Sequence, residues 1–115
     1  ISKLTKKSGE IMKKIFVDDK RTFSAAKKYG YNCVRTYQQC ITLLSVFKDI
    51  DTINLDYDLG GEETGLDILI YMKQNNIKVR EIYIHSTHLE GVKEMEKFIK
   101  YNFKDVYYLY CPYSE

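Results

Sequence analysis

Ile53-Asn54-Leu55-Asp56-Tyr57-Asp58-Leu59-Gly60-Gly61-Glu62-Glu63-Thr64-Gly65 is the stretch from which the rest of the chain is read. An apolar run ends in two carboxylates one residue apart, Asp56 and Asp58, and meets a double glycine before a helical pattern resumes at Leu66. That order predicts a strand delivering acid to the mouth of a loop. Two other apolar runs end in the same manner: Ile15-Phe16-Val17 in Asp18-Asp19, and Ile82-Tyr83-Ile84 in His85-Ser86. Three strand ends therefore carry the reactive groups.

Short, uniformly apolar, β-branched runs suit strands buried on both faces of a parallel sheet. We read strands over 13–19, 32–35, 52–55, 81–84 and 106–110, with helices between them. The first helix, over 22–29, is short and stops at Gly30. The second opens at Thr36, with Gln39 completing a capping-box signature, and turns Cys40, Ile41, Leu43, Leu44 and Phe47 inward. The third starts at Thr64 with Asp67, runs to about Asn75 and buries Leu66, Leu69, Ile70 and Met72. Ser86 or Thr87 caps the fourth, whose inward face is Val92, Met95, Phe98, Ile99 and Phe103. This alternation predicts right-handed crossovers and a parallel sheet with helices on its faces. Ligands bind such sheets at the carboxyl ends of the strands, where the strand order reverses. Asp18, Asp19, Asp56 and Asp58 should converge there in one crevice.

Composition narrows the function. A chain of 115 residues is one domain and buries on the order of two-thirds of its unfolded surface. Cys33, Cys40 and Cys111 are odd in number, widely spaced and form no Cys-x-x-Cys pair. They argue against a disulfide framework or a zinc site and suit reduced packing residues in a cytoplasmic protein. No apolar run approaches the roughly 20 residues of a membrane span. The net charge of +2 hides an asymmetry, because residues 1–14 hold Lys3, Lys6, Lys7, Lys13 and Lys14 against Glu10. The remaining chain carries 13 basic and 15 acidic residues. A mildly acidic body argues against nucleic acid as the partner. We divide the chain into a basic tail, 1–12, and a folded domain, 13–115. The eleven tyrosines are read as packing residues whose hydroxyls reach partners, rather than as a base-stacking surface.

Carboxylates crowded into one crevice repel one another, and a divalent cation relieves this. Oxygen donors without thiolates favour magnesium, with waters and a substrate phosphate completing its shell. Taken singly, Asp18 and Asp19 read equally as cap or turn residues and Asp58 as the start of an Asx turn. His85 at its strand end can act as general acid or base near neutrality, whereas His88 is read as a solvated residue in the first turn of a helix. Arg21 and Arg35 can hold a phosphate bidentately or serve as salt-bridge partners of the acids.

With the strand ends placed, residues 13–113 resemble a response-regulator receiver domain. Asp18-Asp19 matches the acidic pair after the first strand, Asp56 the phosphoacceptor, Thr64-Gly65-Leu66-Asp67 the helix-opening turn and Ser86 the hydroxyl position. Cys111-Pro112-Tyr113 stands where receivers carry Lys-Pro and an aromatic. A narrower branch, receiver-like domains proposed to process cyclic phosphates, is more similar. Its pattern resembles Asp18-Asp19-Lys20-Arg21, Arg35-Thr36, Leu55-Asp56-Tyr57-Asp58-Leu59-Gly60, and His85-Ser86 with Gly91 and Met95 downstream. That family commonly has His at the position of Tyr57 and Asn near that of His88.

The resemblance implies an α/β, flavodoxin-like, three-layer fold whose five parallel strands run in the order 2-1-3-4-5, with a short first helix and no final helix. It implies magnesium on Asp18, Asp19 and Asp56, and phosphate contacts from Arg21, Arg35, Ser86 and Thr87. Asp56, Asp58, His85 and Ser86 would then carry the hydrolysis of a nucleotide cyclic phosphate. One alternative is an atypical receiver phosphorylated at Asp56 by a phosphodonor; another is a degenerate receiver that only binds protein. Without a final helix one sheet face would lie bare, and a homodimer or another docked element is expected to cover it.

Overall fold

The structure is a computed structural model and describes residues 13–112. The basic tail, 1–12, and residues 113–115, including Tyr113, lie outside the described residues.

Five strands, β1 (Lys14–Val17), β2 (Asn32–Val34), β3 (Asp49–Leu55), β4 (Lys78–Ile84) and β5 (Tyr107–Tyr110), alternate with four helices. The helices are α1 (Ser24–Lys28), α2 (Tyr37–Val46), α3 (Gly65–Gln74) and α4 (Leu89–Asn102). All strand pairs are parallel, in the order β2-β1-β3-β4-β5. This is the flavodoxin-like arrangement, and its order reverses between β1 and β3. Among the described residues the last element is a strand.

The core lies between the sheet and α2, α3 and α4. Ile15, Val17, Ile53, Leu55, Ile82 and Ile84 from the strands meet Cys40, Leu44, Ile68, Leu69, Met72, Val92, Met95 and Ile99 from the helices, all almost fully buried. In α3 the buried face is Gly65, Ile68, Leu69 and Met72. Leu66 and Ile70, expected inside, are only half-buried. The buried set follows the three- and four-residue steps of one helical stripe. The Thr64–Asp67 capping box forms on both sides. At Thr36 only half of one forms, because the Gln39 side chain accepts from the Arg35 N–H while Thr36 Oγ1 accepts from Gln39 N–H.

The opposite sheet face corrects the expectation of strands apolar on both sides. It holds for β1, where Phe16 is buried against Phe23 and Tyr31. β4 and β5 instead alternate, and their outer residues Glu81, Tyr83, Tyr107 and Leu109 share a register with the polar, buried Thr52 and Asn54 of β3. The face beyond α1 is thus part polar, with the Tyr83 hydroxyl donating to Glu81 at 2.9 Å. Among the described residues no helix is long and apolar enough to cross a membrane.

Candidate functional site

The carboxyl ends of β1, β3 and β4 open into a cleft of ≈ 320 Å³ lined by Asp19, Lys20, Arg21, Asp56, Asp58, Ser86, Thr87 and His88. Parallel registry places these residues together: Val17 pairs with Leu55, and Leu55 with Ile84, so all three strands stop at one level. Six residues expected at the site line this cleft: Asp19, Arg21, Asp56, Asp58, Ser86 and Thr87. Asp18, His85 and Arg35 do not.

Asp18 lies beneath the cleft, 1% exposed. Its Oδ1 accepts from the Lys20 and Arg21 N–H groups at 2.8 Å each. Its Oδ2 accepts from His85 Nε2 at 2.8 Å and pairs with Arg21 Nε at 3.3 Å. Burial pushes this carboxyl up, but the His85 hydrogen bond and then the two backbone N–H groups outweigh it and hold Asp18 down to about 2. The polypeptide therefore already occupies both oxygens.

His85, read from the sequence as a proton-transfer group or, taken alone, as a hydrogen-bonded structural histidine, does not line the cleft. It is fully buried, with Nδ1 2.6 Å from Asn54 Oδ1 and its ring stacked on Phe16 at 4.6 Å. The imidazole ties β4 to β1 and β3 below the cleft floor. Arg35 is redirected as well. Its Nη1 donates to the Arg21 carbonyl at 2.6 Å and the Asp18 carbonyl at 3.3 Å, and its guanidinium lies 3.9 Å over the Phe23 ring. Arg35 holds the loop that carries Lys20 and Arg21.

Asp56 is half-buried at the cleft floor. Burial first, and then the charge of Asp18, raises its carboxyl, against opposing contributions from His85, the Ser86 hydroxyl and the Asp58 N–H. The Ser86 hydroxyl also accepts from the His88 N–H at 3.1 Å. Asp58 forms the Asx turn considered for it, accepting from Gly60 N–H at 3.0 Å. Gly60 adopts φ +81°, and a Cβ there would lie 2.9 Å from Asp19 Oδ2. Glycine lets the turn close over the Asp19 carboxylate.

His88, expected to be a solvated first-turn residue, is the N-cap of α4 in place of Ser86 or Thr87. Its Nδ1 accepts from Gly91 N–H at 2.9 Å. The Tyr57 ring packs on it at 4.6 Å. A Cβ on Gly91 would collide with that same ring. Gly91→Ala is expected to destabilise the domain by about 1–3 kcal/mol through overpacking, with alanine's helix preference returning at most about 1 kcal/mol. Urea denaturation checks this, and an unchanged midpoint would show that Tyr57 swings aside freely.

The donor set suits a hard divalent cation. Asp18, Asp56 and His85 can each bring one atom within 4.8 Å of the others, and the carboxylates of Asp19, Asp56 and Asp58 line the cleft above them. Burial is the larger cause of the upward shift of Asp56 and the charge of Asp18 the second, and a bound cation would oppose both. Asp18 and His85 are hydrogen-bonded to each other below the cleft, whereas Asp19 and Asp56 both line it. Magnesium keeps several waters, so one or two carboxylates suffice.

The strand order reverses between β1 and β3, and acids stand at that switch point. Residues 13–101 match the family model of the cyclic-phosphate processing receiver domain, and the chain belongs to that family. Two solved structures share the fold. One is the signal receiver domain of a protein described as a Luxo repressor from Vibrio parahaemolyticus, with TM-score 0.61 and 22% identity over 90% of this chain and 80% of that one. The other is a response regulator receiver protein from Sinorhizobium medicae WSM419, with TM-score 0.58 and 16% identity over 93% of this chain and 87% of that one. No curated protein sequence matches the chain significantly.

Proposed function

We propose that the cleft binds magnesium together with the phosphoryl group of a nucleotide cyclic phosphate and hydrolyses the cyclic ester. The observation that carries this reading is the meeting of carboxylates, Asp19, Asp56 and Asp58, with the cations Lys20 and Arg21 in one cleft. Such a cleft offers a metal and a phosphate adjacent places. Membership of the cyclic-phosphate processing family supports the choice of substrate.

Asp56 and Asp19 hold the cation, which when bound supplies Lewis-acid charge to the phosphoryl oxygens. Lys20 and Arg21 neutralise the remaining phosphoryl charge. Asp58, fixed by its Asx turn, accepts a hydrogen bond from the attacking water. The water oxygen adds to phosphorus, one ring P–O bond breaks, and the water's proton ends on the released hydroxyl. The product is a nucleoside monophosphate.

The phosphoacceptor reading keeps one specific support, the Ser86 hydroxyl against the Asp56 carboxylate. Against it stands Cys111 at the position where receivers carry lysine. Cys111 borders the groove on the opposite sheet face, with Tyr83 and Asn54, and not this cleft. A panel of 2′,3′- and 3′,5′-cyclic nucleotides with magnesium tests the proposal and is expected to yield monophosphates. No turnover, with an acyl-phosphate donor adding one phosphoryl mass at Asp56, would transfer the assignment to a signalling receiver. Absence of both turnover and labelling would leave a protein-binding domain.

A further inference from the structure

We propose that His88 is a phosphate-contacting residue, donating a hydrogen bond from Nε2–H to the phosphoryl group bound in the cleft; this rests on the reading of the cleft given above. Of the two histidines only His88 lines the cleft, while His85 is buried below it. The Gly91 N–H donates to His88 Nδ1 at 2.9 Å. That bond requires an unprotonated Nδ1, so the neutral ring carries its hydrogen on Nε2. The remaining polar atom of an exposed ring at the cleft wall is therefore a donor, matched to an anionic ligand rather than to a cation.

The ring is also held from the side. Tyr57 packs against it at 4.6 Å with the planes inclined by 33°. Gly91, where a Cβ would strike the same tyrosine, leaves room for that packing while supplying the N–H that selects the tautomer. The His88 N–H in turn donates to Ser86 Oγ at 3.1 Å. Through Ser86 the backbone of His88 is tied to Asp56. The packing of Tyr57 holds the ring beyond what the capping bond requires, and a ligand contact gains from losing little freedom on binding.

His88→Asn separates the two roles, because asparagine is a good N-cap residue but is too short to place a donor where Nε2 lies. Titration of the full chain with 2′,3′-cyclic AMP and with inorganic phosphate, both in magnesium, is expected to show affinity weakened about tenfold or more, the loss of one hydrogen bond to a charged group. The melting temperature should stay near that of the wild type. His88→Gln, with an amide donor on a longer side chain, should recover part of the affinity. Unchanged affinity in His88→Asn would overturn the assignment while leaving the cleft intact. Failure of the wild-type protein to bind either probe would overturn the cleft reading and this one with it. Should His88→Asn fail to fold, the ring nitrogens of the wild type decide: Nε2 must move in an NMR titration with phosphate, and a stationary Nε2 overturns the proposal.

Discussion

His85→Ala is expected to destabilise the domain by about 3 kcal/mol or more, the loss of a buried hydrogen bond to a carboxylate together with the cavity left behind. The ring is wholly enclosed, bonded to Asp18 and Asn54 and stacked on Phe16. Its removal leaves a cavity beside a buried carboxylate that has lost one of its donors. Urea denaturation measures the loss. A decrease below about 1 kcal/mol, the level of an ordinary surface change, combined with abolished turnover, would instead make His85 a catalytic group. The acid limb of stability gives a second readout. Asp18, held down to about 2 from 3.8, contributes stability that is present above the unfolded value and is lost as pH falls through the folded one. The His85 hydrogen bond is the largest of the influences lowering it, so the variant should lose less stability across that window than the wild type.

The sequence carried the strand ends well because each apolar run stops at a charged residue, and parallel pairing then brings the stops to one level. It carried the strand beginnings poorly. β3 starts at Asp49 and β4 at Lys78, earlier than the apolar pattern, because Asp49, Asp51, Lys78 and Arg80 read as loop residues. Pairing Asp49 with Lys78 and placing Arg80 3.8 Å from Asp51 makes those charges compatible with a sheet. Only the tertiary partner reveals this. The helix caps show the same limit. Ser86 has the chemistry of a cap, yet its hydroxyl is drawn to Asp56 and to the His88 N–H, and the cap passes to a histidine that no capping signature includes.

The site residues divide along the same line. Asp19, Arg21, Asp56, Asp58, Ser86 and Thr87 were legible because a loop directly after a strand opens onto the cleft. That His85 is buried while His88 lines the cleft was not legible. It depends on Asn54, 31 residues before His85 in the chain, and on the ring of Tyr57. Arg35 failed for a related reason: a guanidinium near phosphate-binding loops serves equally well as a brace for their carbonyls, and Phe23 below it selects that use. The signal present in the sequence was Gly91, whose missing side chain marks the place where Tyr57 must lie.

Asp56→Asn is expected to lower magnesium affinity about 100-fold or more, since even outer-shell changes at metal sites cost roughly 10–100-fold, and to abolish turnover at millimolar magnesium. The apo protein should become more stable at neutral pH. Asp56 is raised above its ordinary value by burial and by Asp18, so it favours the folded state only when protonated; that stability is present below the unfolded value and is lost as pH rises through the raised one. An uncharged amide removes this penalty at neutral pH while it can still accept from the Ser86 hydroxyl. Calorimetry should therefore show a higher apo melting temperature and a smaller gain on adding magnesium. The same variant separates metal ligand from phosphoacceptor. If Asp56 acts by holding the cation, excess magnesium restores turnover of the cyclic phosphate, because mass action replaces lost affinity. If Asp56 forms the bond to phosphorus, no concentration of metal restores it, because the asparagine amide is not a nucleophile.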